Sequence, residues 1–144
     1  VIHLPMCGKL YAAAAGQGAT LNGAPIGVGA RSALVEASVL ISRPALDPAH
    51  WQGGCVPSLR RAFRPSLAYR LALVAEGRYD AMLTLRPTWE WDVAAGDLIL
   101  REAGALISDR RGEPLAFNNP QPQVAGVLAA NPALHAALAA ALAR

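Results

Sequence analysis

The segment WEWDVAAGDLILREAG, residues 89–104, carries the clearest helix signal in the chain and its densest group of polar side chains. Asp92 lies where the first turn of a helix would be, Arg101 where the last turn would be, and Gly104 just past the end. Acidic side chains stabilise helix N-termini, basic ones stabilise C-termini, and glycine commonly ends a helix. The segment therefore predicts a helix over residues 91–103, with Asp92 at its beginning.

Strands and helices alternate along the chain on both sides of this segment. One helix is predicted between Ser66, which can cap it, and Gly77, and another starts at Asn131 and Pro132. Apolar or β-branched runs predict strands at residues 38–42, 79–85, 105–108, 115–117 and 124–130, and a short helix is predicted at residues 57–63. This alternation is typical of an α/β fold, in which helices cover a sheet in layers.

The first part of the chain differs from the rest, because it is rich in glycine and in turn signals. Residues 1–4 and 9–15 predict two strands that a tight connection at residues 6–8 joins into a β-hairpin. We therefore divide the chain into a hairpin-rich piece, residues 1–33, and an α/β domain, residues 34–144.

The composition predicts a folded, water-soluble protein. Of the 144 residues, 53% are hydrophobic and 16% are charged, which is too apolar for a disordered chain. The formal charge is +3, but the basic residues are dispersed, which argues against a nucleic-acid polymer as partner. No apolar run approaches the roughly 18 residues of a membrane span. The two cysteines, Cys7 and Cys55, form no CxxC pair, so a reducing, cytoplasmic location is predicted.

Asp92 has two interpretations. A carboxylate in the first turn of a helix can accept hydrogen bonds from free N–H groups and complement the helix dipole. The same carboxylate can bind a hard cation such as Mg²⁺, which proteins commonly hold with one or two carboxylates while water and substrate phosphate complete its shell. The small residues that follow Asp92 would let a phosphate approach the helix closely.

Residues 91–104 contain Trp-Asp-x-Ala-Ala-Gly, then Leu-Ile, then Glu-Ala-Gly, and this order resembles the second signature of the inositol monophosphatase family. The resemblance covers nearly the whole chain. Further similar stretches are GKLYAA at residues 8–13, LNGAPI at 21–26, LVAEG at 73–77 with Asp80, and VLAAN at 127–131.

The resemblance implies a fold, a reaction and a set of site residues. The fold would be a layered α/β arrangement in which residues 1–33 finish the sheet of an N-terminal domain. Asp92 would be a Mg²⁺ ligand, and Ser66 and Glu90 would contact the substrate. The intact enzyme would hydrolyse a small phosphate monoester, and a homodimer, as in some relatives, is compatible with the resemblance.

The chain departs from the family pattern where most metal ligands are expected. The first signature, Asp-Pro-[Ile/Leu]-Asp-Gly-Thr, and the Glu-Glu pair upstream of it do not occur; Asp47-Pro48 is followed by Ala49-His50. We therefore expect this chain to be the C-terminal half of an enzyme and to have little activity alone.

Three alternatives stay open at this point. Glu90 ahead of Trp91-Asp92 is more similar to the branch that includes the 3′(2′),5′-bisphosphate nucleotidases. A non-catalytic α/β binding domain would use Asp92 only as a helix cap. Pro65-Ser66 stands where the family often has Gly-Ser or Gly-Thr, so Ser66 is either a substrate contact or a plain cap.

Overall fold

A computed structural model describes residues 1–143, and its elements confirm the predicted α/β class. The strands are β1 (Ile2–Leu4), β2 (Lys9–Ala13), β3 (Ala19–Leu21), β4 (Ala24–Ile26), β5 (Ser38–Ile41), β6 (Arg60–Ala62), β7 (Ala81–Thr84), β8 (Thr88–Trp89), β9 (Leu106–Ser108), β10 (Gln123–Val124) and β11 (Val127–Ala130). The α-helices are α1 (Leu67–Ala75), α2 (Glu90–Glu102) and α3 (Pro132–Ala141), and 3₁₀ turns lie at Pro5–Cys7, Arg43–Leu46, Pro48–His50 and Gln52–Gly54.

A mixed five-stranded sheet forms the centre of the molecule. Its strand order is β6-β5-β7-β11-β9, with β5 parallel to both β6 and β7, and β11 antiparallel to both β7 and β9. Side chains alternate between its two faces, as a strand requires. In β11, Val127 and Ala129 face one core, whereas Leu128 and Ala130 face the other.

A smaller sheet is an antiparallel meander of β1, β2, β3 and β4. The predicted hairpin is confirmed, since β1 pairs with β2 and Ile2 lies opposite Tyr11. Asn22 and Gly23 form the two-residue turn between β3 and β4 with φ angles of 51° and 81°. Two central residues with positive φ match the right-handed twist of a hairpin, and asparagine and glycine tolerate that conformation best.

The molecule has four layers: the small sheet, α1 with α2, the large sheet, and α3. Helices α1 and α2 contact the small sheet on one side and the large sheet on the other. One core therefore joins Tyr11 of the small sheet to Leu71 of α1 and Met82 of β7. On the opposite face of the large sheet, α3 covers a second core that includes the fully buried Leu134 and Leu138.

Two local predictions are wrong, and both errors involve pairing that is distant in sequence. Residues 57–63 do not form a helix, because β6 pairs in parallel with β5 at the edge of the large sheet. Residues 115–117 do not form a strand, and the short strand of this region is β10, which pairs with the distant β8.

The predicted boundary near residue 33 falls between β4 and β5, which belong to different sheets. A continuous core joins the two parts. The division into two domains stays a prediction. Across residues 1–143, none of the helices has the length and hydrophobicity that crossing a membrane requires.

Candidate active site

Helices α1 and α2 pack closely and begin at the same cavity. A Cβ atom added to Gly96 of α2 would lie 2.5 Å from Leu71 Cδ1 of α1, so only glycine allows this approach. Asp92 lies one helical turn before Gly96, and Ser66 precedes the first residue of α1. The contact between the two helices therefore places both predicted site residues at one edge of the helix layer.

The cavity at this edge has a volume of about 990 Å³ and is open to solvent. Its lining comes from α1, from the end of β7 and the segment that follows it, from the start of α2, and from the loop after β5. The lining residues are Ser42, Pro44, Ala45, His50, Phe63, Ser66, Leu67, Ala68, Arg70, Thr84, Leu85, Arg86, Pro87, Thr88, Trp89 and Asp92.

Asp92 is exposed in the first turn of α2 and lines this cavity, which confirms its predicted placement. The helix begins after Trp89 without a side-chain capping hydrogen bond. Within residues 1–143, we find no hydrogen bond or ion pair that involves the Asp92 carboxylate. Its oxygens are therefore available to a ligand in the cavity.

Ser66 caps α1, and its hydroxyl oxygen accepts a hydrogen bond from the Tyr69 backbone N–H at 3.3 Å. Its backbone has a φ of 63°, a left-handed conformation that residues other than glycine adopt at a cost. The side chain is exposed and lines the same cavity as Asp92, so the two residues face the same side. Ser66 is thus a helix cap in this arrangement, and a role in substrate contact stays a prediction.

Glu90 is directed differently, although it lies only two residues before Asp92. Its carboxylate accepts hydrogen bonds from the backbone N–H of Asn118 at 2.8 Å and of Asn119 at 3.0 Å, and from Asn119 Nδ2 at 2.7 Å. Burial raises the pKa of Glu90, but these hydrogen bonds outweigh burial and leave the pKa below its usual range. Two of the three predicted site residues therefore line the cavity, and Glu90 is not one of them.

Trp89 and Trp91 stack on each other beside the cavity. Their ring centroids are 4.7 Å apart and the ring planes differ by 9°. Trp89 lines the cavity, while 65% of Trp91 is exposed. The stacked pair therefore forms part of the rim next to Asp92.

Arg70 is a cavity residue that sequence reasoning missed. It lies on α1 one turn after Ser66, and only 7% of it is exposed. Its Nε is buried and has no hydrogen-bond partner, and its guanidinium lies 5.5 Å from the centre of the Phe63 ring. Burial, with a further contribution from the nearby positive charge of Arg86, lowers the pKa of Arg70. The spacing of Ser66 and Arg70 by four residues was the available signal, since such residues share one face of a helix.

The remaining polar residues of the signature region have structural partners. Glu102 accepts hydrogen bonds from the backbone N–H groups of Gly16 and Gly18, both at 2.8 Å, which hold the turn between β2 and β3 and lower the pKa of Glu102. Asp97 pairs with Arg101 at 3.0 Å. These carboxylates hold secondary-structure elements together and do not line the cavity.

A second polar cluster ties the small sheet to the end of α1. The Glu76 carboxylate accepts hydrogen bonds from Lys9 Nζ at 2.9 Å and from the Tyr11 hydroxyl at 2.9 Å. Burial, together with the negative charge of Glu76, raises the pKa of Tyr11 to about 12. This cluster is closed and internally satisfied, so we assign it to stability.

The three histidines lie in different surroundings. His135 is buried and shares a hydrogen bond of 2.8 Å with the Ser108 hydroxyl, His3 is exposed, and His50 lines the cavity. Throughout residues 1–143, no group of three or more histidine, cysteine, aspartate or glutamate side chains is arranged to hold a metal ion. Asp92 could supply one oxygen ligand to a cation, and that donor type suits Mg²⁺.

Sequence comparison identifies a protein family and several relatives of this chain. The sequence profile of the inositol monophosphatase family matches residues 1–144. The chain is 38% identical over 122 residues to an inositol-1-monophosphatase of Rhizobium meliloti, and 32% identical over 122 residues to the Nus factor SuhB of Escherichia coli K12. In both cases the match covers 78% of this chain and 44% of the relative, so the chain spans about half the length of these proteins.

Solved structures with similar folds lead to the same family. The structure of inositol monophosphate-bound SaIMPase-II superimposes with a TM-score of 0.80 and 26% identity, covering 93% of this chain and 52% of that one. The inositol monophosphatase from Anabaena (Nostoc) sp. PCC 7120 gives a TM-score of 0.71 and 30% identity, covering 94% of this chain and 54% of that one. On sequence and fold together, the chain belongs to the inositol monophosphatase family.

Proposed function

We propose that the protein to which this chain belongs hydrolyses a small phosphate monoester and requires Mg²⁺. The observation that carries the proposal is an exposed Asp92 carboxylate, without a partner in residues 1–143, that lines a cavity of about 990 Å³ at the start of α2. Family membership supports it, as does the similarity to a structure of SaIMPase-II with inositol monophosphate bound.

Asp92 is the residue of this chain that would hold Mg²⁺. Its oxygen donors suit a hard cation, and its position in an open cavity leaves room for water and a substrate phosphate around the ion. When bound, Mg²⁺ supplies Lewis-acid polarisation of the phosphoryl group and activation of water for attack on phosphorus. The further ligands, in this proposal, come from outside residues 1–144, as the resemblance to the whole family implies.

The two helix N-termini define how a phosphate ester would be oriented. Free N–H groups and the positive end of the dipole at the start of α2 favour an anion next to Asp92. Ser66 at the start of α1 faces the same cavity and would contact the leaving group. Glu90 would act indirectly, since it holds residues 118–119 against the first turn of α2.

The proposal includes the expectation that the 144-residue chain has little or no activity alone. A single carboxylate cannot hold a two-metal site against hydration. We also keep as proposals a cytoplasmic location, a homodimer, and the absence of membrane and nucleic-acid partners.

The test is hydrolysis of a panel of phosphate monoesters by the full-length protein at increasing Mg²⁺ concentration, with residues 1–144 assayed in parallel. We expect saturable, Mg²⁺-dependent phosphate release by the full-length protein and none above background by the shorter chain. Robust Mg²⁺-dependent turnover by residues 1–144 would overturn the assignment of missing ligands. Absence of turnover by the full-length protein on every ester would favour a non-catalytic binding domain.

A further inference from the structure

A second cavity is lined by the turn after β9 and by the end of α3, and its volume is about 380 Å³. Pockets that hold small molecules typically measure about 300–1,000 Å³. Among the described residues, the charged ones that line this second cavity are Arg110 and Arg111. The other lining residues are apolar, namely Leu85, Pro87, Ala125, Ala139, Leu142 and Ala143. The second cavity therefore combines positive charge with an apolar surface.

The turn that carries the two arginines is held by its own hydrogen bonds. The Asp109 carboxylate accepts hydrogen bonds from the backbone N–H groups of Arg111 at 2.7 Å and of Glu113 at 2.9 Å. The acidic group next to the arginines in sequence is thus occupied by the backbone of the turn. In residues 1–143, we find no ion pair that involves Arg110 or Arg111. An anion would therefore meet two unpaired cations on a backbone that is already ordered, which lowers the cost of binding.

A glycine brings this turn against the end of β7. A Cβ atom added to Gly126 would lie 2.6 Å from the Thr84 carbonyl oxygen and 3.2 Å from Arg110 Cβ, so a larger residue does not fit there. The close approach lets Arg110 Nη1 donate a hydrogen bond to the Leu85 carbonyl at 3.4 Å. This distance exceeds the usual range for such bonds, about 2.7–3.2 Å, so the bond is weak. An anion in the second cavity can compete for the Arg110 guanidinium.

The second cavity shares a wall with the cavity at Asp92. Leu85 and Pro87 line both cavities, and Arg86 between them lines the one at Asp92. The same segment continues through β8 into the first turn of α2. A ligand in the second cavity would therefore contact the wall of the proposed active site from behind.

We infer that the second cavity is an effector site for a small organic anion with an apolar body, and that its occupation weakens substrate binding at Asp92. Arginine donates paired hydrogen bonds to the oxygens of an anionic group, and the apolar lining would remove the ligand body from water. By drawing Arg110 away from the Leu85 carbonyl, the ligand releases the shared wall. The binding part of this inference is independent of the proposed function, whereas its effect on turnover rests on that function.

The first experiment is equilibrium dialysis of the full-length protein in EDTA with naphthalene-2-sulfonate as the probe. Two competitors separate its features: naphthalene-2-sulfonamide has the same body without the charge, and inorganic sulfate has charge without the body. We expect saturable binding of the probe and at least about 10-fold weaker binding of each competitor, as for the loss of a hydrogen bond to a charged group. Equal binding of either competitor would overturn the inference, because one of the two features would then be irrelevant.

Variants locate the bound probe. The double variant Arg110→Gln/Arg111→Gln should bind naphthalene-2-sulfonate at least about 10-fold more weakly. Arg78→Gln is the matched control, because Arg78 is exposed and lines neither cavity. Unchanged affinity in the double variant would place the probe elsewhere and overturn the inference.

A further pair of variants keeps both arginines in place. Ala139→Glu introduces an acidic side chain on α3 at the lining of the second cavity, and Ala139→Gln introduces one of the same size without charge. Ala139→Glu should bind the probe at least about 10-fold more weakly than Ala139→Gln, since its carboxylate competes for the arginines. Equal affinities of these two variants would contradict the assignment.

The second experiment measures the effect on turnover with Mg²⁺ and a phosphate monoester. Saturating naphthalene-2-sulfonate should raise KM about 5-fold or more in the wild type and in Arg78→Gln, as expected for coupled sites. The double variant should have the KM of the wild type without the probe and no response to it. An unchanged KM in the wild type, or an equal rise in the double variant, would overturn the effector role.

The two experiments separate failure of this inference from failure of the proposed function. If the full-length protein hydrolyses no ester, the proposed function fails while the dialysis still tests the second cavity. Coupling between sites is reciprocal, so a monoester that binds without turnover should lower the affinity for naphthalene-2-sulfonate by the same factor of about 5 or more. Unchanged affinity for the probe in the presence of such a bound ester would overturn the coupling.

Discussion

The two carboxylates in the first turn of α2 lie two residues apart and have opposite surroundings. Glu90 accepts three hydrogen bonds from Asn118 and Asn119, two of them from the backbone, and is 8% exposed. Asp92 is exposed to the cavity and has no hydrogen-bond partner that we find in residues 1–143. Both are acidic residues in the same helical turn, so residue type and position do not explain why one carboxylate is bound by protein groups and the other is open. The surrounding groups explain the difference.

The same contrast holds between two arginines of the helix layer. Arg101 is half-exposed and pairs with the buried Asp97 at 3.0 Å, whereas Arg70 is buried at the cavity with its Nε unpaired. Buried polar groups in folded proteins are normally hydrogen-bonded, so exceptions call for an explanation. At Glu90 and Arg101 protein groups satisfy the charge, whereas no protein partner of the Asp92 carboxylate or of Arg70 Nε is found within residues 1–143.

The largest expected effect is the loss of turnover in Asp92→Asn of the full-length protein. The amide keeps the size of the side chain and its suitability for a helix N-terminus, but it loses the charge that binds a cation. Turnover should fall by at least about 100-fold, more than substitutions of outer partners of metal ligands usually cause. The free energy of unfolding should change by less than about 0.5 kcal/mol, as measured by denaturant titration.

A smaller effect is expected from Gly96→Ala, which disturbs the contact that places Asp92 beside Ser66. The new Cβ would lie 2.5 Å from Leu71 Cδ1 and 2.9 Å from Leu71 Cβ, so α1 and α2 must move apart. Overpacking of this kind costs about 1–3 kcal/mol. Thermal melting should show the loss, and kcat/KM should fall with it.

The control for Gly96→Ala is its combination with Leu71→Ala, which removes most of the clashing side chain. The double variant should be more stable than the sum of the two single effects predicts. If the two effects simply add, the Cβ added at position 96 does not clash with Leu71. Gly96 would then not position the site through its contact with α1.

The smallest expected effect concerns Glu90→Gln, which should lower stability slightly and leave the Mg²⁺ dependence of turnover unchanged. The folded-state pKa of Glu90 lies below its unfolded value, so its contribution to stability is present above about pH 4.5 and is lost as pH falls through the folded pKa. The difference in melting temperature between wild type and Glu90→Gln should therefore shrink on acidification. A difference that grows at low pH, or a shifted Mg²⁺ dependence at neutral pH, would move Glu90 into the site.

The sequence predicts those parts of the fold that depend on neighbouring residues. Helix α2 is marked by Asp92, Arg101 and Gly104, and the structure places it within one residue of the predicted bounds. Strand β6 was missed because residues 60–62 acquire their structure from parallel pairing with β5, which local pattern does not encode.

The site residues divide in the same way: those with a local sequence signal were predicted, and those defined by distant contacts were not. Asp92 and Ser66 are helix-start residues, and a helix start has a sequence signal. The partners of Glu90 lie 28 and 29 residues away along the chain, in a segment without regular structure. The burial of Arg70 depends on packing contacts such as that with Phe63, a tertiary contact that helical periodicity alone could not show.

The central claim is that Asp92 binds a divalent cation, and calorimetric titration of the full-length protein with Mg²⁺ tests it most directly. We expect saturable binding to the wild type and to Glu90→Gln with similar affinity, and an affinity at least about 10-fold weaker for Asp92→Asn. The three proteins should have matching melting temperatures within a few degrees before the titration. Binding of Mg²⁺ to Asp92→Asn with the affinity of the wild type would contradict the account and leave Asp92 as the first-turn residue of a helix.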